Sequence, residues 1–285
     1  MSTYRISFEQ IRQDASLSKL LMSLERGFTR FGIDYYLVGA VSRDVWMSGI
    51  NKIKPRRATA DIDFAVLIND KGVYEALKEY LIAEEGFTPF KNNAFVLIYK
   101  DGTEVDLLPF GEIEDNDRKV TVVGFGYNTI HVDGFKEVYE NSLPEVGIDG
   151  HTFKFCSLAG LVLLKMIAWD DRPETRPEDI LDISDLLDNY FFMDSDNIYE
   201  NHLDLFDRDG FESLDVAATT LGREIKKIAI RTTQLHKRVR DILETNTRDT
   251  ASSRMAAVMV RYFSNTVEEN VQILRRLKAG FEEQG

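Results

Sequence analysis

Asp61-Ile62-Asp63-Phe64-Ala65-Val66-Leu67-Ile68, preceded by Thr59-Ala60, is the stretch on which the reading of this sequence turns. Residues 62–68 are apolar and β-branched enough to predict a strand. In a strand, residues i and i+2 share a face, so Asp61 and Asp63 present two carboxylates side by side at its mouth. Two like charges that close repel, and each raises the other's pKa. A divalent cation removes that cost, and hard Mg²⁺ prefers oxygen ligands of this kind. An isolated Asp-x-Asp is equally what a solvated strand start looks like, so the pair needs company to carry meaning.

Company lies on both sides. Upstream, Leu37-Val38-Gly39-Ala40-Val41-Ser42-Arg43-Asp44 runs from an apolar strand, 35–38, into two small residues and then a predicted helix. Small residues at such a turn let the backbone approach a ligand. The first N–H groups of the helix are suited to a phosphate, though ordinary turn chemistry uses the same residues. Downstream, Gly102-Thr103-Glu104-Val105-Asp106-Leu107-Leu108-Pro109 puts Asp106 between Val105 and Leu107 in a strongly apolar strand, 103–108. A lone carboxylate there is expensive without a partner. Glu104 shares its face and is the alternative third acid, but Asp106 has the more apolar flanks. An Asp facing solvent from an edge strand is the other reading. Three carboxylates can hold two metal ions, one activating a hydroxyl and the other clamping a triphosphate.

The bulk properties agree with an ordinary folded chain. Of 285 residues, 44% are apolar, enough for a substantial core. No stretch approaches the roughly 18 uncharged apolar residues of a membrane helix, and the N-terminus has no apolar signal region. Cys156 is the single cysteine, so neither an intrachain disulfide nor a cysteine zinc site is expected. These features suit a cytoplasmic protein. Net charge is −13, yet residues 222–285 carry 13 Lys/Arg against 8 Asp/Glu, a balance of +5 that leaves −18 for the rest. An acidic body with a basic tail suggests two surfaces with different partners, unless the charges merely segregate on solvated helix faces.

All six prolines lie at or before Pro177, and the apolar spacing beyond it is helical. Further strands are predicted over 94–99, 119–123 and 151–155, and helices over 17–30 and 72–84, the second ending before Gly86. The expected fold is α+β: a mixed-sheet core over 1–150 followed by a helical domain over 151–285.

The pattern of small-residue turn, Arg-Asp, Asp-x-Asp 22 residues after Gly39, and a third acid on a later strand resembles the DNA-polymerase-beta-like nucleotidyltransferase superfamily. Gly39-Ala40 stands where that superfamily has Gly-Gly or Gly-Ser, and Gly39–Asp44 is similar to the Gly-Gly-Ala-Val-Arg-Asp run of CCA-adding enzymes. The resemblance implies a polymerase-beta-like core with Asp61, Asp63 and Asp106 as metal ligands for Mg²⁺ or Mn²⁺. It also implies an NTP held at Gly39, Ala40, Ser42 and Arg43. Ala40 offers a backbone N–H but no hydroxyl, for which Ser42 is the nearby substitute.

A second block narrows the resemblance. Lys165-Met166-Ile167-Ala168-Trp169-Asp170-Asp171-Arg172, followed by Arg176-Pro177-Glu178-Asp179-Ile180-Leu181-Asp182, is similar to the Lys-x-x-Ala…Arg…Lys/Arg-Asp-x-x-Asp run of AbiEii/AbiGii-type proteins. Here Pro177 and Glu178 separate Arg176 from Asp179. Those relatives are nucleotidyltransferase toxins of bacterial toxin–antitoxin and phage-defence systems. The resemblance therefore implies Lys165 and Asp179 as catalytic residues, tRNA as acceptor and a cognate antitoxin as partner. Read from the residues alone, Lys165 in an apolar helix needs an anion, either a triphosphate or Asp179, unless its stem reaches solvent. Asp179 and Asp182, three apart, share a helix face.

In the tail, Arg223, Lys227 and Arg231 recur at i, i+4, and Lys237, Arg238 and Arg240 extend the basic character. This stripe is the expected RNA contact; a salt-bridged surface helix is the alternative. The leading expectation is Mg²⁺-dependent transfer of a nucleoside monophosphate from an NTP to an acceptor hydroxyl. A small-molecule (antibiotic) adenylyltransferase, a protein nucleotidylating enzyme and a catalytically inactive binding module are the alternatives.

Overall fold

The computed structural model describes residues 3–11, 16–57, 61–206 and 212–283. Thr59 and Ala60, which lead into the Asp-x-Asp run, lie outside them. The chain divides into two compact units, residues 1–157 and 158–285. The last strand before the helices, with residues up to Ser157, thus groups with the first unit rather than with the second.

In chain order the first unit contains β1 (Thr3–Ile6), α1 (Phe8–Ile11), α2 (Ser16–Phe31), β2 (Tyr35–Val38), α3 (Gly39–Asp44) and a π-helical continuation over Val45–Ile50. There follow β3 (Ile62–Leu67), α4 (Lys71–Glu84), β4 (Phe87–Pro89), β5 (Val96–Tyr99), β6 (Glu104–Phe110), β7 (Lys119–Thr121), β8 (Thr129–His131), α5 (Phe135–Glu140), β9 (Glu145–Ile148) and β10 (His151–Lys154). The main sheet has the order β2-β3-β6-β5-β4. Only β3 and β6 pair in parallel; β2, β5 and β4 join antiparallel. β1, β9 and β10 form a separate three-stranded sheet, and β7 and β8 form a hairpin.

The apolar runs explain the layers. In β3 the side chains of Ile62, Phe64, Ala65 and Val66 are buried, as are Val105 and Leu107 of β6. These central strands are apolar in near-continuous runs because both faces are covered. α2 buries Leu17, Leu20, Leu21, Leu24 and Phe28, a stripe at helical spacing, and packs against α4. Asp70 caps α4 by accepting from the N–H of Gly72 at 2.7 Å. Beyond the helix end Gly86 takes φ +81°, the left-handed conformation that lets the chain turn into β4.

The second unit is helical: α6 (Leu158–Asp171), α7 (Pro177–Met193), α8 (Ser195–Asn201), α9 (Ser213–Ala229), α10 (Thr233–Thr247), α11 (Arg254–Phe263) and α12 (Val267–Glu282). Pro177 opens α7 at a position where its missing N–H has no helical partner to lose. α9 and α12 cross closely enough that a Cβ on Gly222 would lie 2.0 Å from the Leu277 carbonyl oxygen, and one on Gly280 2.0 Å from that of Thr219. Of the apolar tail positions, Met259, Val271 and Leu274 are fully buried in this unit. Among the described residues no helix is long and apolar enough to cross a membrane.

Candidate active site

The sheet register assembles the first unit's acids. In the β2–β3 pairing Val38 stands opposite Asp63, and in the β3–β6 pairing Asp63 stands opposite Asp106. Three neighbouring strands therefore bring together the Gly39 turn, the Asp-x-Asp run and the third acid. Gly39 takes φ +58°, and a Cβ built there would lie 1.9 Å from Asp63 Oδ2. No side chain fits, so the turn and the carboxylate lie against one another by necessity. Tyr74 of α4 donates its hydroxyl to the Leu107 carbonyl at 2.8 Å and fixes the strand beside Asp106.

The electrostatics follow from that crowding. Burial pushes the Asp106 carboxyl up to about 8, and the negative charge of Asp63, a hydrogen bond with it, and the charges of Asp61 and Glu104 add to the rise. The Asp106 carboxyl is thus held toward its neutral form beside Asp63. The alternative acid, Glu104, is exposed and lies two residues before Asp106, the residue opposite Asp63. Among the described residues no three His, Cys, Asp or Glu side chains form a ready-made metal cage. Mg²⁺ does not require one: it binds through one or two carboxylates, its waters and substrate phosphates. Two carboxylates set opposite one another on paired strands fit such an ion.

Two residues expected at the nucleotide, Ser42 and Arg43, face inward. Ser42 is fully buried, and its hydroxyl donates to the Cys156 carbonyl at 3.1 Å, an acceptor it shares with the Trp46 indole N–H at 2.8 Å. It is not available to replace the hydroxyl that Ala40 lacks. Arg43 is also fully buried; its Nε and Nη2 donate to Asp44 Oδ1 at 3.1 and 2.9 Å, and Nη2 donates to the Arg57 carbonyl at 2.9 Å. The guanidinium ties the turn to the segment before Asp61 rather than reaching outward. The sequence signal for this was the adjacent Asp44, a ready partner for a buried arginine. Ala40 is buried in the first turn of α3, where backbone N–H groups have no intrahelical acceptor.

In the second unit Lys165 of α6 donates to Asp179 Oδ1 at 3.1 Å and to Asp182 Oδ2 at 2.8 Å, both on α7. Arg176 Nε donates to the other oxygen of Asp179 at 2.6 Å. Desolvation lowers the Lys165 pKa, but the two carboxylates outweigh it and the net shift is upward. Lys165 is a charged ammonium balanced by two acids, and of the partners the sequence allowed it, the structure shows the carboxylates.

The basic stripe is largely paired with acids. Arg231 lies beyond the end of α9, so it does not continue the helical face of Arg223 and Lys227. Arg223 pairs with Asp204 and with Glu283, each at 2.5 Å, and Lys227 pairs with Glu224 at 2.7 Å. Lys237 pairs with Asp241 and Arg238 with Asp171. Four of the six cations, Arg223, Lys227, Lys237 and Arg238, are thus held in ion pairs with nearby acids.

No family model matches the chain, and no curated protein matches it. Three solved structures resemble it. One is an antigenic nucleotidyltransferase-like protein from Paracoccidioides brasiliensis, 15% identical, covering 74% of this chain and 94% of that one at a TM-score of 0.42. Another is the antibiotic-resistance factor ANT(2'')-Ia, 14% identical, covering 83% and 100% at a TM-score of 0.41. The third is a CCA-adding enzyme solved in complex with CTP, 14% identical, covering 100% and 72% at a TM-score of 0.34. All three are nucleotidyltransferase-like, but at TM-scores under 0.5 the likenesses decide nothing, and the functional reading rests on the site's own geometry. None of the three is named as an AbiEii/AbiGii-type toxin.

Proposed function

We propose that the first unit binds an NTP with Mg²⁺ and transfers its nucleoside monophosphate to an acceptor hydroxyl, releasing pyrophosphate. The observation that carries this reading is the register of Asp63 with Asp106 beside the Gly39 turn. Two carboxylates crowded against one another make a poor structural feature and a good cation site.

Asp61, Asp63 and Asp106 would hold the cation. When bound, Mg²⁺ would neutralise charge on the triphosphate and make the acceptor hydroxyl more acidic. The backbone N–H groups at Gly39 and Ala40 would face the phosphates, and Gly39, lacking a Cβ, leaves the close approach open. With the cation in place of its proton, Asp106 would be a carboxylate placed to take the proton of the acceptor hydroxyl. The acceptor oxygen then attacks the α-phosphorus, and the bond to the bridging oxygen of the β-phosphate breaks.

Two acceptors divide the finer reading. The block 165–182 suggests a toxin that modifies tRNA and is held in check by an antitoxin. The pairing of Arg223 and Lys227 with acids favours a small hydroxylated acceptor, because it removes the expected RNA contact. Incubation with Mg²⁺ and each α-labelled NTP in turn, against tRNA, an aminoglycoside panel and lysate protein, separates them. Label in one acceptor class, lost in Asp63→Asn, supports transfer and names the acceptor. No transfer to any acceptor and no NTP binding would sink the reading.

A further inference from the structure

One sequence feature plays no part in the site as described. Residues 52–57 read Lys-Ile-Lys-Pro-Arg-Arg, four cations in six residues. They lie in a unit whose residues 1–157 carry 18 Lys/Arg against 24 Asp/Glu. Such a run in an acidic unit is most simply a solvated loop, but its anchoring is unlike one.

Both ends of the run are held. The Ile53 N–H donates to the Met47 carbonyl at 2.8 Å, and the Ser48 hydroxyl to the Ile53 carbonyl at 3.4 Å. Lys52 folds back, donating its ammonium to the Gly49 carbonyl at 2.7 Å, and so closes the helix it follows. At the other end buried Arg43 holds the Arg57 carbonyl at 2.9 Å. Arg43 lies one turn after Gly39, so the run is tied to the small-residue turn. Arg57 is also four residues from Asp61, a span of at most about 14 Å even if fully extended. The side chains of Lys54 and Arg56 are exposed, and that of Arg57 is partly so.

We propose that Lys54, Arg56 and Arg57 bind the β- and γ-phosphates of the NTP and the pyrophosphate that leaves. This rests on the nucleotidyl-transfer reading of the neighbouring acids. Asp61, Asp63, Asp106 and Glu104 gather four carboxylates on or beside the metal site, and a triphosphate brings several more negative charges. One divalent ion does not balance that total. Fixed cations beside the site offset the remainder and raise the local concentration of the anion. The guanidinium fork of Arg suits phosphate oxygens, and Lys adds a point charge.

The test is titration calorimetry of the full chain with Mg²⁺–pyrophosphate and with Mg²⁺–NTP, comparing wild type, Lys54→Glu/Arg56→Glu and the control Lys71→Glu/Lys91→Glu. The control reverses two exposed lysines of the same unit outside the run. Both variants are checked for an unchanged thermal melt. The proposal expects the first variant to bind pyrophosphate and NTP about tenfold more weakly or worse, with a shallower salt dependence. Nucleoside monophosphate binding should change far less, and the control less than about twofold. Equal losses in both variants, or none in the first while wild type binds NTP, would overturn the clamp and leave nucleotidyl transfer standing. Wild type that binds neither anion would overturn both.

Discussion

Asp63 and Asp106 stand directly opposite one another on the two parallel strands of the main sheet, and burial plus mutual repulsion hold the Asp106 carboxyl protonated near neutral pH. The sign of the resulting pH dependence is fixed. An ordinary Asp loses its proton near pH 4, whereas this one keeps it to about 8. Between those values the folded chain binds more protons than the unfolded chain, so its stability falls as pH rises. Without divalent ions, thermal melts from pH 5 to pH 8 should show wild type losing more stability than Asp106→Asn. Mg²⁺ or Mn²⁺ should raise the melting temperature more at pH 8 than at pH 6, because the ion competes with that proton. Parallel pH profiles for the two proteins would contradict a raised Asp106 carboxyl.

The contact between Gly39 and Asp63 makes the turn intolerant of any side chain. Gly39→Ala places a Cβ in a left-handed conformation and against a carboxylate. Destabilisation of about 1–3 kcal/mol from the backbone alone is expected in urea unfolding, with loss of NTP binding beyond it. A Gly39→Ala protein that is as stable as wild type and binds NTP normally would contradict the geometry.

Lys165 should matter for stability. Its ammonium side chain is 13% exposed and those of Asp179 and Asp182 are 7% exposed. Lys165→Met leaves two buried acids short of a cation, at a cost of about 3–5 kcal/mol. Adding Asp182→Asn should recover part of it, read by the midpoint of chemical denaturation. A Lys165→Met midpoint equal to wild type would show the cluster to be solvated.

Arg223 is predicted to act in the fold of the helical unit. Arg223→Ala breaks the pairs with Asp204 and Glu283 and should lower the melting temperature by a few degrees, corresponding to about 1 kcal/mol. Charge reversal at Lys227 and Arg231 should leave label transfer to tRNA unchanged. A large loss of tRNA transfer in those variants would restore the stripe as an RNA surface.

How much of this was legible depends on the range of the interaction. The strand 35–38 and the helices read over 17–30 and 72–84 follow from local periodicity, and Asp63 and Asp106 stand out as acids interrupting two apolar runs, but that they stand opposite one another depends on a pairing across more than forty residues. The pairing of β1 with β9 was not legible, because it joins Thr3–Ile6 to Glu145–Ile148 across the unit and neither segment is strongly apolar. The inward turn of Ser42 was also hidden, since its acceptor is the carbonyl of Cys156, over a hundred residues away. Arg223 misled for the same reason: its partners, Asp204 and Glu283, are distant in sequence, and only the near spacing with Lys227 is visible.

The central claim is that Asp63 and Asp106 hold a divalent ion, and Mn²⁺ binding followed by electron paramagnetic resonance tests it most directly. In the presence of a non-hydrolysable NTP, wild type should immobilise Mn²⁺ and both Asp63→Asn and Asp106→Asn should release most of it, with affinity rising between pH 6 and pH 8. Wild type that binds no Mn²⁺, or variants that retain it undiminished, would contradict the account.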